Sequence, residues 1–258
     1  MTNDLVSIIM PSYNCGEYVE DTIRSVQAQT YVNWEIIFMD DCSSDDTINV
    51  VSRLKENDTR MRLYKNKGNM GAAISRNNAL REAKGRWIAF LDSDDQWIPD
   101  KLEKQIRFME ESGYKFSYTC YSEMDSEGKD SGIVVSGPSK VTKKGIFAFC
   151  WPGCLTVMYD ANEIGLVQIE DIKKNNDYAM WLKVCKKADC YLLPEVLAKY
   201  RRGRVGSVSS HSIRTMIGWH YKLWHKAEGK KTVAALWHTG INLVCGFYKK
   251  KKYVKRVK

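Results

Sequence analysis

The stretch FLDSDDQW, residues 90–97, places three aspartates within four positions, directly after an apolar run that begins at Trp87. A short apolar run bounded by polar residues predicts a buried strand, Arg86–Leu91. Carboxylates this close together repel one another unless a cation or a set of hydrogen-bond donors joins them. The stretch therefore predicts a strand end that binds a positively charged partner. The alternative is a solvated turn that caps a helix beginning near Pro99.

Short apolar runs alternate with helical patterns through the first 112 residues. The predicted strands are Val6–Met10, Trp34–Met39, Met61–Tyr64 and Arg86–Leu91, and the predicted helices are Glu17–Gln29, Asp46–Lys55, Gly71–Ala83 and Pro99–Ser112. This alternation predicts an α/β fold with a mostly parallel sheet. Ligands of such sheets bind beyond the carboxyl ends of the strands. The polar segments expected to meet there are Pro11–Asn14, Asp40–Asp41 and Asp92–Asp95.

The pattern changes after Gly113. A hairpin is predicted from Lys115–Glu123 and Ile133–Val135, with its turn at residues 125–128. The elements predicted to follow are a helix at Thr142–Phe149, a strand at Leu155–Tyr159, a helix at Asp177–Lys187 and, from about Ser212, two basic helices that contain tryptophan.

Acids at the ends of two predicted strands favour a ligand site over two independent helix caps. Hard divalent cations bind oxygen ligands, and magnesium-type sites combine one or two carboxylates with the phosphates of a substrate. The Asp92–Asp95 segment is therefore predicted to hold a divalent metal, Mn²⁺ or Mg²⁺, which in turn holds a diphosphate.

Four stretches resemble the successive motifs of family 2 glycosyltransferases: VSIIMPSYN, WEIIFMDDCSSDDT, NKGNMGAAISRNNAL and GRWIAFLDSDDQW. Their order and spacing match from about Leu5 to Ser210. GCLTVMYD and NNDYAMWLKV further resemble the branch of this family that makes teichuronic acid and capsular polysaccharide. The resemblance implies the GT-A fold, which is Rossmann-like, with a smaller mixed sheet on the acceptor side. It implies an inverting, metal-dependent transferase of bacterial cell-surface polysaccharide synthesis.

By position, the resemblance assigns the nucleobase to Pro11, Tyr13 and Asp41. Asp41 would accept a hydrogen bond from the ring N–H of uracil, so the implied donor is a UDP-sugar. Asp94 is the first choice of metal ligand and Asp92 the second. The other residues that it implies at the nucleotide-sugar site are Arg76, Ser93, Asp95 and Arg201.

A transferase that inverts the sugar carbon in one displacement needs a carboxylate that takes the acceptor's proton. The resemblance assigns this role to Asp177, within a pair that is Glu-Asp in the family and Asn176-Asp177 here. The residues alone favour a helix N-cap for Asp177, a role that is compatible with that of a base. The segment Tyr200–Ser210 resembles the family's Tyr-Arg…Ser-x-Ser loop, and its glycines and arginines predict a lid over a diphosphate. A solvated basic loop is the alternative.

Charge and motifs together predict a catalytic domain at residues 1–211 and a tail at residues 212–258. The domain divides into a nucleotide-sugar half, residues 1–112, and an acceptor half, residues 113–211. Residues 201–258 contain 15 of the 40 Lys and Arg but one of the 31 Asp and Glu. Basic residues interleaved with aromatics predict helices that lie on an anionic membrane surface, beside a glycan or lipid-linked acceptor. The alternative is that the tail packs on the domain or on a second subunit in a homodimer.

The eight cysteines contain no CxxC pair, which argues against a zinc site and for free thiols in a reducing cytosol. The N-terminal stretch lacks the basic region of a signal peptide, and no window predicts a membrane span. The expected location is the cytoplasmic face of the cell membrane.

Three other classes of protein are weighed against the transferase. A glycoside hydrolase needs two carboxylates but neither the Asp-x-Asp pair nor Asp41. A receiver domain gathers acids at strand ends but leaves the second half of the chain without a role. A non-enzymatic nucleic-acid binder accounts for the basic tail, but the acidic body argues against it.

Overall fold

The computed structural model of the protein describes residues 3–203 and 213–257. Its strands are β1 (Val6–Ser12), β2 (Trp34–Asp40), β3 (Met61–Lys65), β4 (Trp87–Phe90), β5 (Gln96–Trp97), β6 (Phe116–Met124), β7 (Asp130–Val135), β8 (Lys140–Val141), β9 (Met158–Asp160), β10 (Cys190–Arg201) and β11 (Val254–Arg256). Its α-helices are α1 (Val19–Gln27), α2 (Thr47–Glu56), α3 (Ala72–Arg81), α4 (Lys101–Ser112), α5 (Lys143–Ala148), α6 (Ala161–Ile164), α7 (Asn176–Val184), α8 (Ile213–Lys222) and α9 (Thr232–Tyr253).

The strands form one sheet in the order β11-β7-β6-β9-β4-β1-β2-β3, and β10 pairs with β5, β6 and β8. The first four strands are parallel, with β1 between β2 and β4. The second half is mixed, because β9 runs antiparallel to both β4 and β6 whereas β10 runs parallel to β6. The predicted α/β fold with a mostly parallel first half and a mixed second half is confirmed.

The central strands are buried on both faces, which explains their continuous apolar sequences. All seven residues of β1 and all seven of β2 are buried. Helix α1 covers one face with Val19, Thr22, Ile23 and Val26, whose spacing of three or four residues places them on one side of the helix. Because these strands are parallel, their carboxyl ends lie at the same edge of the sheet.

Several parts of the second half differ from the sequence prediction, among them β8 and α6, which were not predicted. The strand predicted at Leu155–Tyr159 is shorter and begins at Met158, since Cys154–Thr156 form a 3₁₀ turn. The long strand β10 was not predicted, because Pro194 interrupts its pattern and the register shifts between Leu193 and Val196. β11 was also not predicted, because its Lys255 and Arg256 are exposed and carry no apolar signal.

The C-terminal segment packs on the rest of the molecule through one face. A π-helical turn, Leu223–Ala227, follows α8 and buries Trp224 completely. Helix α9 buries Ala235, Thr239 and Asn242, and β11 pairs antiparallel with β7. No helix within the described ranges combines the length and the apolar composition needed to cross a membrane.

Lys101, in the first turn of α4, is a buried amine. Its side chain is 0% exposed, donates to Gln105 Oε1, and has its Nζ 4.5 Å from the centre of the Trp97 ring. Burial lowers the pKa of Lys101 to about 7. The folded state therefore disfavours the charged amine that the unfolded chain carries up to pH about 10.

We predict that Lys101→Met is stabilised relative to wild type by an amount that depends on pH. Below pH about 7 Lys101 is protonated in both the folded and the unfolded state, so burial of its charge lowers the free energy of unfolding of the wild type by the full amount. Between pH about 7 and about 10 this loss of free energy of unfolding shrinks by about 1.4 kcal/mol per pH unit, because only the unfolded state still binds the proton. Denaturant unfolding of both proteins at pH 7, 8.5 and 10 measures the difference. The exposed Lys55→Met serves as control, and a difference for Lys101→Met that does not change with pH contradicts the assignment.

Candidate active site

The ends of β1, β2 and β4 lie side by side at one edge of the sheet. The Asp41 N–H donates to Ser12 O at 2.8 Å, and the Leu91 N–H donates to Ile9 O at 3.1 Å. The polar segments that follow these strands are therefore neighbours in space, as the topology predicts. Pro11 lies within β1 and is buried, whereas Tyr13, just beyond the strand, is 45% exposed.

Asp41 organises the loop that precedes α3. Its buried carboxylate accepts hydrogen bonds from Asn66 Nδ2 (2.8 Å), Met70 N (2.8 Å) and Gly71 N (2.7 Å). Gly71 adopts φ +85°, a conformation that favours glycine. Asn66, which sequence analysis did not single out, also donates to Ser75 Oγ. Asp41 thus holds residues 66–71 beside the strand ends.

Arg76, on α3, joins the aspartate segment to α7. Its buried guanidinium donates to Asp92 Oδ1 through one terminal nitrogen and to Asn176 Oδ1 through the other. Burial opposes the charged form, but the carboxylates of Asp92 and Asp177 raise the pKa of Arg76 above its ordinary value. The guanidinium is therefore charged at every relevant pH. Its Nε–H has no hydrogen-bond partner within the described residues.

Arg201 is the last residue of β10 and lies beneath the aspartate segment. Its N–H donates to Asp95 Oδ1 (2.9 Å) and its Nε donates to the Asp94 carbonyl (2.8 Å). Burial, and then the carboxylates of Asp94 and Asp92, raise the pKa of Asp95 well above its usual range. Arg201 is 3% exposed, so it supports the segment from within instead of extending from a surface loop. The rest of the predicted lid, residues 204–210, lies outside the described residues.

Ser93 points away from the solvent. It is 3% exposed, and its hydroxyl donates to Cys15 Sγ at 2.9 Å. Asp92, by contrast, has a side chain that is 36% exposed. The segment therefore alternates between residues that anchor it and residues that face the crevice.

Asp177 lies in the first turn of α7, next to Asn176. Its Oδ1 accepts a hydrogen bond from the Tyr178 N–H at 2.8 Å. The N-cap position of α7 belongs to Asn175, so the prediction that Asp177 caps the helix is wrong. Burial raises the pKa of Asp177, and Arg76 opposes this rise. A carboxyl group with a raised pKa takes up a proton more readily than an ordinary aspartate.

A second group near Asp177 carries no signal in the sequence. Burial raises the pKa of the Cys154 thiol, and the charges of Arg76, Asp92 and Asp177 act on it. The Cys154 thiol is therefore close enough to Asp92 and Asp177 for their charges to act on it. A single cysteine without a paired motif gives sequence analysis no reason to select it.

The chain matches the model of the family described as "Glycosyl transferase family 2" over residues 7–147, and it belongs to this family. It is 43% identical over 204 residues to TuaG of Bacillus subtilis (strain 168), a glycosyltransferase assigned to teichuronic acid biosynthesis. That match covers 78% of this chain and 81% of the relative. The chain is also 38% identical over 214 residues to WfaP of Escherichia coli, with 83% of each covered. WfaP is a UDP-Glc:α-D-GlcNAc-diphosphoundecaprenol β-1,3-glucosyltransferase.

Two solved structures share the fold. TarS 1–349 of S. aureus in complex with UDP-GlcNAc has a TM-score of 0.70 at 19% identity, covering 96% of this chain and 76% of that one. The mannosyltransferase PcManGT of Pyrobaculum calidifontis, in complex with GDP-Man and Mn²⁺, has a TM-score of 0.66 at 15% identity with the same coverage. The fold is GT-A and the protein is a family 2 glycosyltransferase, as the motif resemblance implied. The nucleic-acid-binding alternative finds no support among these relatives.

Proposed function

We propose that the protein transfers a sugar from a UDP-sugar to a hydroxyl group of a lipid-linked saccharide, with inversion at the sugar carbon. The observation that carries the proposal is the Arg76 guanidinium, which donates to Asp92 on one side and to Asn176, the neighbour of Asp177, on the other. This arrangement brings the acid that would face the donor close to the acid that would face the acceptor. The relatives' substrates agree with it, since WfaP uses UDP-Glc and a diphosphoundecaprenol-linked sugar.

The residues at the end of β4 suit a divalent cation shared with a diphosphate. Within the described ranges, no cluster of three or more His, Cys, Asp or Glu could hold a metal alone. Asp94 and Asp92 would therefore supply one or two ligands, and substrate phosphates the rest, as is usual for Mg²⁺-type sites. When bound, Mn²⁺ or Mg²⁺ would neutralise the charge of the departing diphosphate.

Buried N–H groups without a hydrogen-bond partner also suit the binding of an anionic ligand. Arg76 Nε and Arg201 Nη2 are buried without hydrogen-bond partners among the described residues. A buried donor left unpaired costs about 1–3 kcal/mol, which an anionic ligand removes. We assign both arginines to the donor's diphosphate, and Pro11, Tyr13 and Asp41 to its uracil. Ser93 and Asp95 shape the segment between them.

Asp177 is the base in this proposal. Its carboxylate takes the proton from the acceptor hydroxyl while that oxygen forms the new bond to the sugar carbon. The bond from this carbon to the diphosphate breaks on the opposite face, and UDP leaves with the electron pair. Because burial raises the pKa of Asp177, the acid limb of the pH–rate profile lies above the range of an ordinary aspartate, and activity is lost as pH falls through it.

We predict that Asp177→Asn lowers turnover by about 10²- to 10⁴-fold with little change in UDP affinity. Asparagine retains the size of the side chain and an oxygen that accepts from the Tyr178 N–H, but it does not take a proton. Transfer from UDP-glucose to a diphosphate-linked N-acetylglucosamine acceptor measures turnover, and calorimetry measures UDP affinity. Asp171→Asn, an exposed change nearby, is the control. Full turnover of Asp177→Asn would remove this residue from the mechanism.

The proposal includes attachment to the cytoplasmic membrane surface through the exposed face of α9. The helical repeat places five exposed apolar residues on this face: Val233, Leu236, Trp237, Val244 and Phe247. They are 55–81% exposed, and they lie opposite the buried Ala235, Thr239 and Asn242. Exposed lysines lie at the two ends of the helix, Lys231 at its N-cap and Lys251 in its last turn. An apolar stripe bordered by lysines suits an anionic bilayer, where each basic residue contributes about 1 kcal/mol.

We predict that the double variant Leu236→Glu/Phe247→Glu loses at least about ten-fold in affinity for vesicles of anionic lipid. Two carboxylates would have to enter the lipid interface, whereas both positions are exposed in the free protein and the fold is unaffected. Co-sedimentation at low salt measures the binding, with Val32→Glu, an exposed apolar site near the opposite edge of the sheet, as control. The membrane assignment is contradicted if wild type does not bind the vesicles. If wild type then forms a dimer that the double variant does not form, the apolar stripe belongs to a homodimer interface.

A further inference from the structure

The segment 148–151, between α5 and the turn at Cys154, is attached to α9 along its whole length. Asn242 Nδ2 donates to the Ala148 carbonyl at 2.7 Å. The Phe149 ring packs against Gly246, where a Cβ atom would come within 3.0 Å of the ring. One helical turn further on, Lys249 Nζ donates to the carbonyls of Trp151 (2.8 Å) and Cys150 (3.4 Å).

Aromatic contacts close the same interface. The Trp151 ring lies edge-on to Tyr253, with centroids 5.8 Å apart, and to Tyr248 at 6.5 Å. Its Nε1–H donates to the Gly145 carbonyl at 3.0 Å. The segment is therefore held on one side by α5 and on the other by α9.

Beyond this segment the chain continues to Cys154, on which the charges of the candidate active site act. Cys154 lies three residues after Trp151, and its thiol is within the electrostatic reach of Asp92 and Asp177. A second connection runs through Tyr178, the residue after Asp177. Its hydroxyl donates to the Ile146 carbonyl (2.7 Å) and accepts from Asn242 Nδ2 (3.1 Å). Helix α9 thus contacts both the crevice wall and the helix turn that carries Asp177.

Lys249 binds two backbone carbonyl groups with an amine whose burial is energetically unfavourable. Burial lowers its pKa, against the opposing effect of Cys150 and Asp177, so the amine is largely removed from water. Burial of an amine destabilises a fold in comparison with an apolar side chain of similar size. The neighbouring Lys250 and Lys251, by contrast, are exposed.

We propose that α9 forms the rear wall of the acceptor subsite, and that Lys249 and Asn242 are positioning residues that set the 148–154 segment against Asp177. This inference rests on the proposed transferase function. It places the acceptor sugar between Asp177 and the 150–154 segment, and the lipid tail toward the exposed face of the same helix. The C-terminal helix therefore belongs to the acceptor site as well as to the membrane-facing surface.

The test compares Lys249→Met with Lys250→Met, which makes the same chemical change at an exposed position. The acceptor probe is a synthetic N-acetylglucosaminyl α-diphosphate with an eleven-carbon tail, the donor is UDP-glucose, and the assay contains detergent in place of membrane. We expect Lys249→Met to raise the KM for the probe at least ten-fold, with the rate of UDP-glucose hydrolysis by water within two-fold of wild type. Lys250→Met is expected to leave both unchanged. Asn242→Ala, which removes the other anchor, is expected to show the same split.

A proportional loss of transfer and hydrolysis in Lys249→Met would show a general effect on folding and overturn the inference, as would an unchanged KM. Amide hydrogen exchange gives a readout that does not depend on activity. Residues 148–154 are expected to exchange faster in Lys249→Met than in Lys250→Met. If wild type transfers no sugar to the probe, the proposed function fails. Unchanged exchange over residues 148–154 contradicts the positioning role by itself.

Discussion

The buried guanidinium of Arg76 is the interaction on which the site depends. It lies among the carboxylates of Asp92 and Asp177, and its two terminal nitrogens bind groups that are 84 residues apart in the chain, Asp92 and Asn176. Arg76 is buried, but the Asp92 side chain is 36% exposed, so water partly screens this pair and it contributes less than the about 3–5 kcal/mol of a fully buried one. The end of β4 and the start of α7 are therefore held together by charge as well as by packing.

The charges around this guanidinium support the proposed divalent cation. Among the described residues, Arg76 and Arg201 are buried arginines that contact the aspartate segment, and Arg201 binds Asp95 through its N–H and the Asp94 carbonyl through its Nε. Asp92, Asp94 and Asp95 lie close together in this segment. Burial and like charges already raise the pKa of Asp95. In the proposed function, a divalent ion bound together with a diphosphate would relieve this repulsion.

The nucleotide half of the fold was predictable because its signals are local. Continuous apolar strands end in turns of Asp, Ser and Asn, and parallel topology brings those turns together. The signals fail where the structure depends on distant partners. Pro194 conceals β10, and the exposed charges of β11 conceal its pairing with β7.

The candidate site residues also divide into those with a local sequence signal and those that depend on distant parts of the chain. Asp92 and Asp94 stand out because acids cluster after a strand, and Asp177 because of a family motif. Arg201 was expected in a lid, yet it lies under the aspartate segment, since β10 extends to that residue. Lys249 belongs to a run of four lysines that predicts a solvated surface. One turn of the helix directs that residue inward, and only the packing of α9 on residues 148–151 distinguishes it from its neighbours.

The most direct test is calorimetric titration of UDP into wild type and Asp94→Ala, each with and without Mn²⁺. Wild type is expected to bind UDP at least ten-fold more tightly in the presence of Mn²⁺. Asp94→Ala is expected to lose this dependence while it unfolds at the wild-type temperature, because the side chain removed belongs to the crevice and not to the core. Equal affinity of the two proteins for UDP with Mn²⁺ would contradict the assignment of the metal and the diphosphate to the end of β4.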